Sequence, residues 1–218
     1  VFGRLGQIKT EYGKRFEKVA NESSLKMDIS VRPEDTIFGK HWYSFVQNTR
    51  CMLGTNSGSS ILDLNGEIHK RVFYFLQEHP KASFEEVEAT CFLGQDGRYE
   101  FMAISPRNLE CALFGTTQIL APGPYDGFME AWKDYIPLDS DMSNFSEVMP
   151  LIKDHAYLQT MSNHCRDKIL SFQELRYSHH VSDLADETRD NTQVTDSQRE
   201  DSVPLIKRYQ EEFNEIAP

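Results

Sequence analysis

The stretch Ile104-Ser105-Pro106-Arg107-Asn108-Leu109-Glu110-Cys111-Ala112-Leu113-Phe114-Gly115-Thr116-Thr117-Gln118-Ile119-Leu120 contains, in unbroken order, a helix start, a helix stop and a strand. Ser105 is a favoured N-cap because its hydroxyl can accept from an unpaired N–H of the first turn, and Pro106 suits the first helical position, where no N–H is needed. Leu109, Ala112 and Leu113 recur at helical spacing, and Gly115 tolerates the left-handed conformation in which helices commonly end. The strand 116–120 follows at once. Strands alternating with helices predict a parallel sheet covered on both faces.

The alternation extends in both directions. Residues 1–9 read as a strand end and a Gly-punctuated loop, leading into a helix over 7–21 with Ile8, Tyr12, Phe16 and Val19 at helical spacing. A short helix over 41–48, with Trp42, Phe45 and Val46 on one side, precedes the buried strand Cys51-Met52-Leu53-Gly54. That strand runs into the polar loop Thr55-Asn56-Ser57-Gly58-Ser59-Ser60, and such loops are where α/β folds bind ligands. An amphipathic helix over 67–78 and a second over 84–90, announced by a Ser83–Glu86 capping box, read as a helical insertion spanning about 66–98. Beyond Pro122-Gly123-Pro124 come the short buried strand Tyr135-Ile136-Pro137-Leu138 and helices over 145–153 and 154–170. The expected organisation is a Rossmann-like lobe over 1–180, a polar linker over 181–204, and a C-terminal helix over 205–218 carrying Ile206, Tyr209, Phe213 and Ile216.

Composition narrows the function classes. The chain has 218 residues, 39 % hydrophobic and 26 % charged, enough for a real core and unlike a disordered chain. Lys and Arg number 23 against 34 Asp and Glu, a formal charge of -11, which argues against nucleic acid as a partner but leaves room for a local basic pocket. No apolar run approaches the roughly 18 to 20 residues of a membrane span, and residues 1–10 lack a signal-peptide layout, so a soluble cytoplasmic protein is expected. Val1 stands where an initiating Met would be, inside a strand end, and reads as the start of a fragment. Cys51, Cys91, Cys111 and Cys165 form no CxxC pair and are expected to be reduced core thiols. The seven histidines show no metal-binding spacing and no GxSxG elbow is present, so no metal is expected and hydrolases of those kinds lack support.

Three places bring polar groups to the carboxyl ends of expected strands: Arg4 with Lys9, the Ser57-Gly58-Ser59-Ser60 loop, and Ser105 through Glu110. A helix N-terminus presents free N–H groups and a partial positive charge, which suits phosphate, and Arg107 adds a cation where the helix dipole disfavours one. Arg107 is thus either a diphosphate contact or a solvated surface residue. Glu110 lies among apolar residues of the same helix and is either a buried acceptor for ribose hydroxyls or an exposed helix carboxylate. The Ser57–Ser59 segment is a plain turn or a phosphate cradle, without the lysine of a P-loop.

The run from Ile104 to Leu120, followed by Pro122-Gly123-Pro124-Tyr125 and Tyr135-Ile136-Pro137-Leu138, resembles the C-terminal lobe of GT-B glycosyltransferases, most of all the family 1 and spore-maturation-type bacterial enzymes. The opening Gly3-Arg4-Leu5-Gly6-Gln7-Ile8-Lys9 is similar to the signature that starts the same lobe. The resemblance implies a Rossmann-like donor-binding lobe that takes a nucleoside-diphosphate sugar as substrate, with no separate cofactor. It implies that Arg4 and Lys9 approach the diphosphate, that Glu110 accepts from the ribose, and that Ser105 and Arg107 line the same pocket, with Ser57, Gly58 and Ser59 beside them. Ala103 stands where the common family has an acidic residue. Implied partners are a glycan or lipid-linked acceptor and an N-terminal lobe on the same or another chain, in the cytoplasm or against the inner face of the membrane. The alternative reading is a non-catalytic module that binds nucleotide sugars.

Overall fold

The computed structural model describes residues 3–125 and 127–172, so the expected linker and C-terminal helix lie outside the described residues. Within them the chain is mixed α/β, with seven α-helices and a small parallel sheet. Helix α1 (Gly3–Ala20) and helix α2 (Lys40–Asn48) precede strands β1 (Cys51–Gly54) and β2 (Ser57–Ser59). Helices α3 (Glu67–Glu78) and α4 (Phe84–Cys91), strand β3 (Phe101–Ala103), helix α5 (Pro106–Phe114) and strand β4 (Thr117–Leu120) follow. Strand β5 (Ile136–Pro137) and helices α6 (Phe145–Lys153) and α7 (His155–Ser171) complete the lobe.

The parallel sheet has the order β1-β4-β5, with Met52 opposite Gln118 and Ile119 opposite Ile136. The middle strand is buried along its whole length. Ile119 packs into the main core with Tyr12 and Phe16 of α1, Val148 and Ile152 of α6 and Met161 of α7. Gln118, pointing the other way, is hydrogen-bonded to Asn108 of α5. Helices therefore cover β4 on both sides, an arrangement compatible with the Rossmann-like expectation. The expected signals at α5 hold: Ser105 is the N-cap, Pro106 opens the helix, and Gly115 closes it in the left-handed conformation at φ 71°.

Three expectations are corrected. Gly3 through Gly6, read as a loop after a strand, is the start of α1, while Val1 and Phe2 lie outside the described residues. The N–H groups of this start are satisfied from far along the chain: Asp96 Oδ2 accepts from Arg4 N at 2.9 Å, and Ser60 Oγ from Leu5 N at 3.3 Å. Ser57 to Ser59, read as a loop, is strand β2. Its partner is β3, antiparallel, so β3 belongs to a separate two-stranded ribbon and not to the parallel sheet. Gly58 permits the close approach, since a Cβ there would collide with the carbonyl oxygen of Phe101.

Helices α3 and α4 form the expected helical pair, with a core of their own from Ile61, Ile68, Val72, Val87, Cys91 and Phe92. The Ser83–Glu86 capping box is present in both directions. Asp63 caps α3 from further upstream, accepting from Ile68 N at 3.2 Å and His69 N at 2.8 Å. The four cysteines are free thiols. Burial pushes Cys51, Cys111 and Cys165 up to about 12, which keeps them protonated and poorly nucleophilic. Among the described residues no helix is long and apolar enough to cross a membrane.

The turn before β5 is fastened to α7 by Asp134, whose side chain is fully buried. Its carboxylate accepts from Lys168 Nζ at 2.7 Å and from Glu130 N at 2.7 Å, and lies 2.8 Å from His164 Nδ1. Burial alone would raise its pKa, but Lys168, the Glu130 N–H and His164 together hold it below the ordinary carboxylate value. A native pKa below the unfolded one means stability that is complete above the unfolded value, near 4, and is lost as pH falls through the lower native value. Asp134→Asn is expected to cost about 2 kcal/mol at pH 7 and to flatten the acid limb of a stability profile measured by urea denaturation from pH 7 to pH 2. An acid limb of unchanged steepness in the variant would show that other carboxylates set it.

Candidate functional site

In a parallel sheet the loops leaving the carboxyl ends of the strands share one edge, and ligands bind in the crevice there. Here that edge is formed by the residues after Gly54, Leu120 and Pro137. Asn56, just past β1, donates from Nδ2 to the carbonyl of Pro124 at 2.5 Å and lies against Gly123, where a Cβ would strike its side chain. This contact staples the loop after β1 to the loop after β4. Helices α2 and α5 each lead directly into a strand of the sheet, so their N-termini point to the same edge. Neither has an acidic residue in its first turn, which leaves the positive ends of both helices uncompensated.

Four of the residues singled out from sequence gather at this edge. Lys9 of α1 donates from Nζ to Ser57 Oγ at 3.0 Å. The Lys9 side chain is exposed overall, yet partial desolvation and then the neighbouring Arg107 guanidinium lower its pKa below the usual lysine value. Lys9 and Arg107 are thus close enough to repel, and among the described residues neither has a carboxylate partner in an ion pair. Both cations add positive charge near the N-terminus of α5. Glu110, half-buried on α5, accepts at Oε2 from Trp42 Nε1 at 2.7 Å. The same indole lies under Arg107, whose guanidinium carbon is 4.9 Å from the ring centroid.

The remaining residues lie elsewhere or do local structural work. Arg4 pairs with Glu88 at 2.6 Å, approaches Asp96 at 4.0 Å and stands over the Phe84 ring, so it ties α1 to the helical insertion. Gly58 packs closely against β3, and Ser59 Oγ donates to Ile61 O at 2.7 Å and accepts from Ile61 N at 3.2 Å, forming a tight turn of its own. Ser105 stays at the start of α5, its N–H held by Asn108 Oδ1 at 3.1 Å. Sequence spacing groups Trp42 with Phe45 and Val46 on one side of α2. Only its stacking on Phe45 follows that reading, and its links to Arg107 and Glu110, far along the chain, leave no local sequence signal.

On the far flank of α1, a hollow lined by Ile8, Glu11, Tyr12, Arg15 and Ser140 also contains a cation. Arg15 is committed there, to Glu11 at 2.9 Å and to the carbonyl of Ser140 at 3.0 Å. Among the described residues no group of three or more His, Cys, Asp or Glu side chains is placed to hold a metal ion. No family model, curated protein or solved structure matches this chain.

A lysine with a lowered native pKa disfavours its own charged form in the fold. The resulting cost is complete at pH values below the native pKa and fades as pH rises through it towards the unfolded value near 10.4. Lys9→Met should therefore raise the melting temperature at pH 7, and the gain should shrink above pH 10. Scanning calorimetry at both pH values checks this; a variant that melts lower at pH 7 would mean that the Ser57 hydrogen bond outweighs the repulsion from Arg107.

Proposed function

We propose that this chain is the donor-binding half of a GT-B-type glycosyltransferase, which moves a sugar from a nucleoside-diphosphate sugar to a glycan or lipid-linked acceptor. The observation that carries the reading is the grouping of Arg107 and Glu110 around Trp42 in the first turns of α5, with Lys9 near enough to Arg107 to feel its charge. In this reading Lys9 and Arg107, at the positive end of α5, receive the diphosphate. Glu110, one turn along the same helix, accepts from a ribose hydroxyl with the oxygen that Trp42 leaves free. The chemistry asked of the site is electrostatic: as the bond to the sugar breaks, negative charge develops on the departing diphosphate, and two preorganised cations stabilise it. The acceptor and any catalytic base would come from an N-terminal lobe on the same or another chain, working in the cytoplasm or at the inner membrane face. A second reading, a nucleotide-sugar-binding module without catalysis, draws on Ala103, which puts no carboxylate where the resembling family carries one.

Calorimetric titration with UDP, GDP, ADP, CDP and dTDP tests the proposal. One of them should bind, and Arg107→Ala and Glu110→Gln should each weaken it about tenfold, the value of one charge-assisted hydrogen bond. Arg4→Ala should lower the melting temperature and leave the affinity unchanged. Failure of all five ligands to bind the unaltered protein would end the donor-site reading. Tight binding without any sugar transfer in the presence of the N-terminal lobe would favour the module.

A further inference from the structure

Arg107 and Glu110 stand three residues apart on one helix, a spacing at which opposite charges ordinarily meet. Yet no ion pair joins them. Trp42, arriving from α2, engages both. Its ring face carries the guanidinium at 4.9 Å, and its ring N–H donates to Glu110 Oε2 at 2.7 Å. We propose that Trp42 is a positioning residue that insulates Arg107 from Glu110, so that cation and carboxylate stay separately available to a ligand.

The chemistry of the three groups supports this role. A guanidinium stacks through its face and binds anions through the N–H groups in its plane, so seating it on an indole leaves its anion-binding edge free. A carboxylate that accepts one N–H at Oε2 keeps Oε1 for a second donor. Both groups are held by one rigid ring, and neither neutralises the other. Phenylalanine in place of Trp42 would keep the face and lose the N–H; alanine would remove both and let the charges collapse together. The inference takes its ligand from the donor-site reading, but the insulation itself is a property of the free protein.

The experiment uses Trp42→Phe, Trp42→Ala, Glu110→Gln and the double variant Trp42→Ala/Glu110→Gln, with inorganic pyrophosphate and UDP as titrants. In a crystal structure of Trp42→Ala, Arg107 and Glu110 should lie within about 4 Å of one another. Pyrophosphate affinity should fall about fivefold in Trp42→Ala and recover when Glu110→Gln is added, because the competing carboxylate is gone. The gain in pyrophosphate affinity from Glu110→Gln should be about fivefold larger in the Trp42→Ala background than in the unaltered protein, where the indole already holds the carboxylate apart from Arg107. A residue with a merely structural role would give no such rescue, and its absence overturns the proposal. Trp42→Phe, the milder change, should bind pyrophosphate like the unaltered protein and UDP like Glu110→Gln; unchanged affinity for both also overturns it. If the unaltered protein binds neither titrant, the donor-site reading fails, and the Trp42→Ala structure alone decides: contact between Arg107 and Glu110 sustains the insulation, and separation refutes it.

Discussion

Gln118 sits in the middle of β4 at 1 % exposure, and a buried amide has to find its partners within the protein. It finds them on α5. Its oxygen accepts from Asn108 Nδ2 at 2.9 Å and its Nε2 donates to Asn108 O at 3.0 Å, while Asn108 Oδ1 holds the N–H of Ser105. This two-residue lock fixes the rotation of α5 about its axis. With about 100° between successive residues, turning Asn108 onto the sheet turns Arg107 and Glu110 away from it, onto one adjoining strip. That strip faces α2, which is how an indole from α2 comes to meet both. The Thr116 hydroxyl, donating to the carbonyl of Val46 at 2.9 Å, fixes α2 against the same unit. The candidate site thus depends on a hydrogen-bonded pair that takes no part in it.

Two kinds of charge coexist in this chain. Asp134 is fully buried and fully matched, with donors on both oxygens, as a carboxylate taken out of water requires. Arg4 is half-matched by Glu88 and Asp96 and serves to join α1 to the insertion. Lys9 and Arg107 differ, because they repel one another although the chain carries an excess of acidic residues to draw on. Leaving both cations without counter-ion is a cost to the fold, and it falls at the edge of the sheet where a parallel α/β architecture places its ligands. Their contacts are uncharged, the Ser57 hydroxyl for Lys9 and the Trp42 ring for Arg107, where Arg4 and Arg15 meet carboxylates.

Local signals carried most of the fold. Ser105, Pro106 and Gly115 bracket α5 through chemistry confined to their own turns, and the Ser83–Glu86 box does the same for α4. The sequence misled where partners are remote or side chains small. Nothing near Gly3 indicates a helix, because its first N–H groups are capped by Ser60 and Asp96. Ser57-Gly58-Ser59 lacks the alternating apolar residues by which a strand is recognised, and becomes one through backbone pairing to β3 that glycine permits. Of the candidate site, Arg107 and Glu110 stand out because their charge is anomalous for their position, whereas Lys9 stands out only as following an expected loop that proves to be part of α1. Trp42 does not stand out, since a tryptophan at helical spacing with Phe45 and Val46 is indistinguishable from core until its partners are known.

The net charge of -11 bears on what kind of anion such a site admits. At long range an acidic molecule repels anions, and a polyanion would meet that field along its whole length. At physiological ionic strength, however, the field decays over about 8 Å, so a small anion that enters the crevice feels chiefly the groups that line it. In the proposed site those groups are the ammonium of Lys9, the guanidinium of Arg107 and the positive end of α5. On the proposed donor reading, a compact diphosphate is favoured over an extended phosphate backbone, and Glu110 would meet a hydrogen-bond donor on the neighbouring ribose.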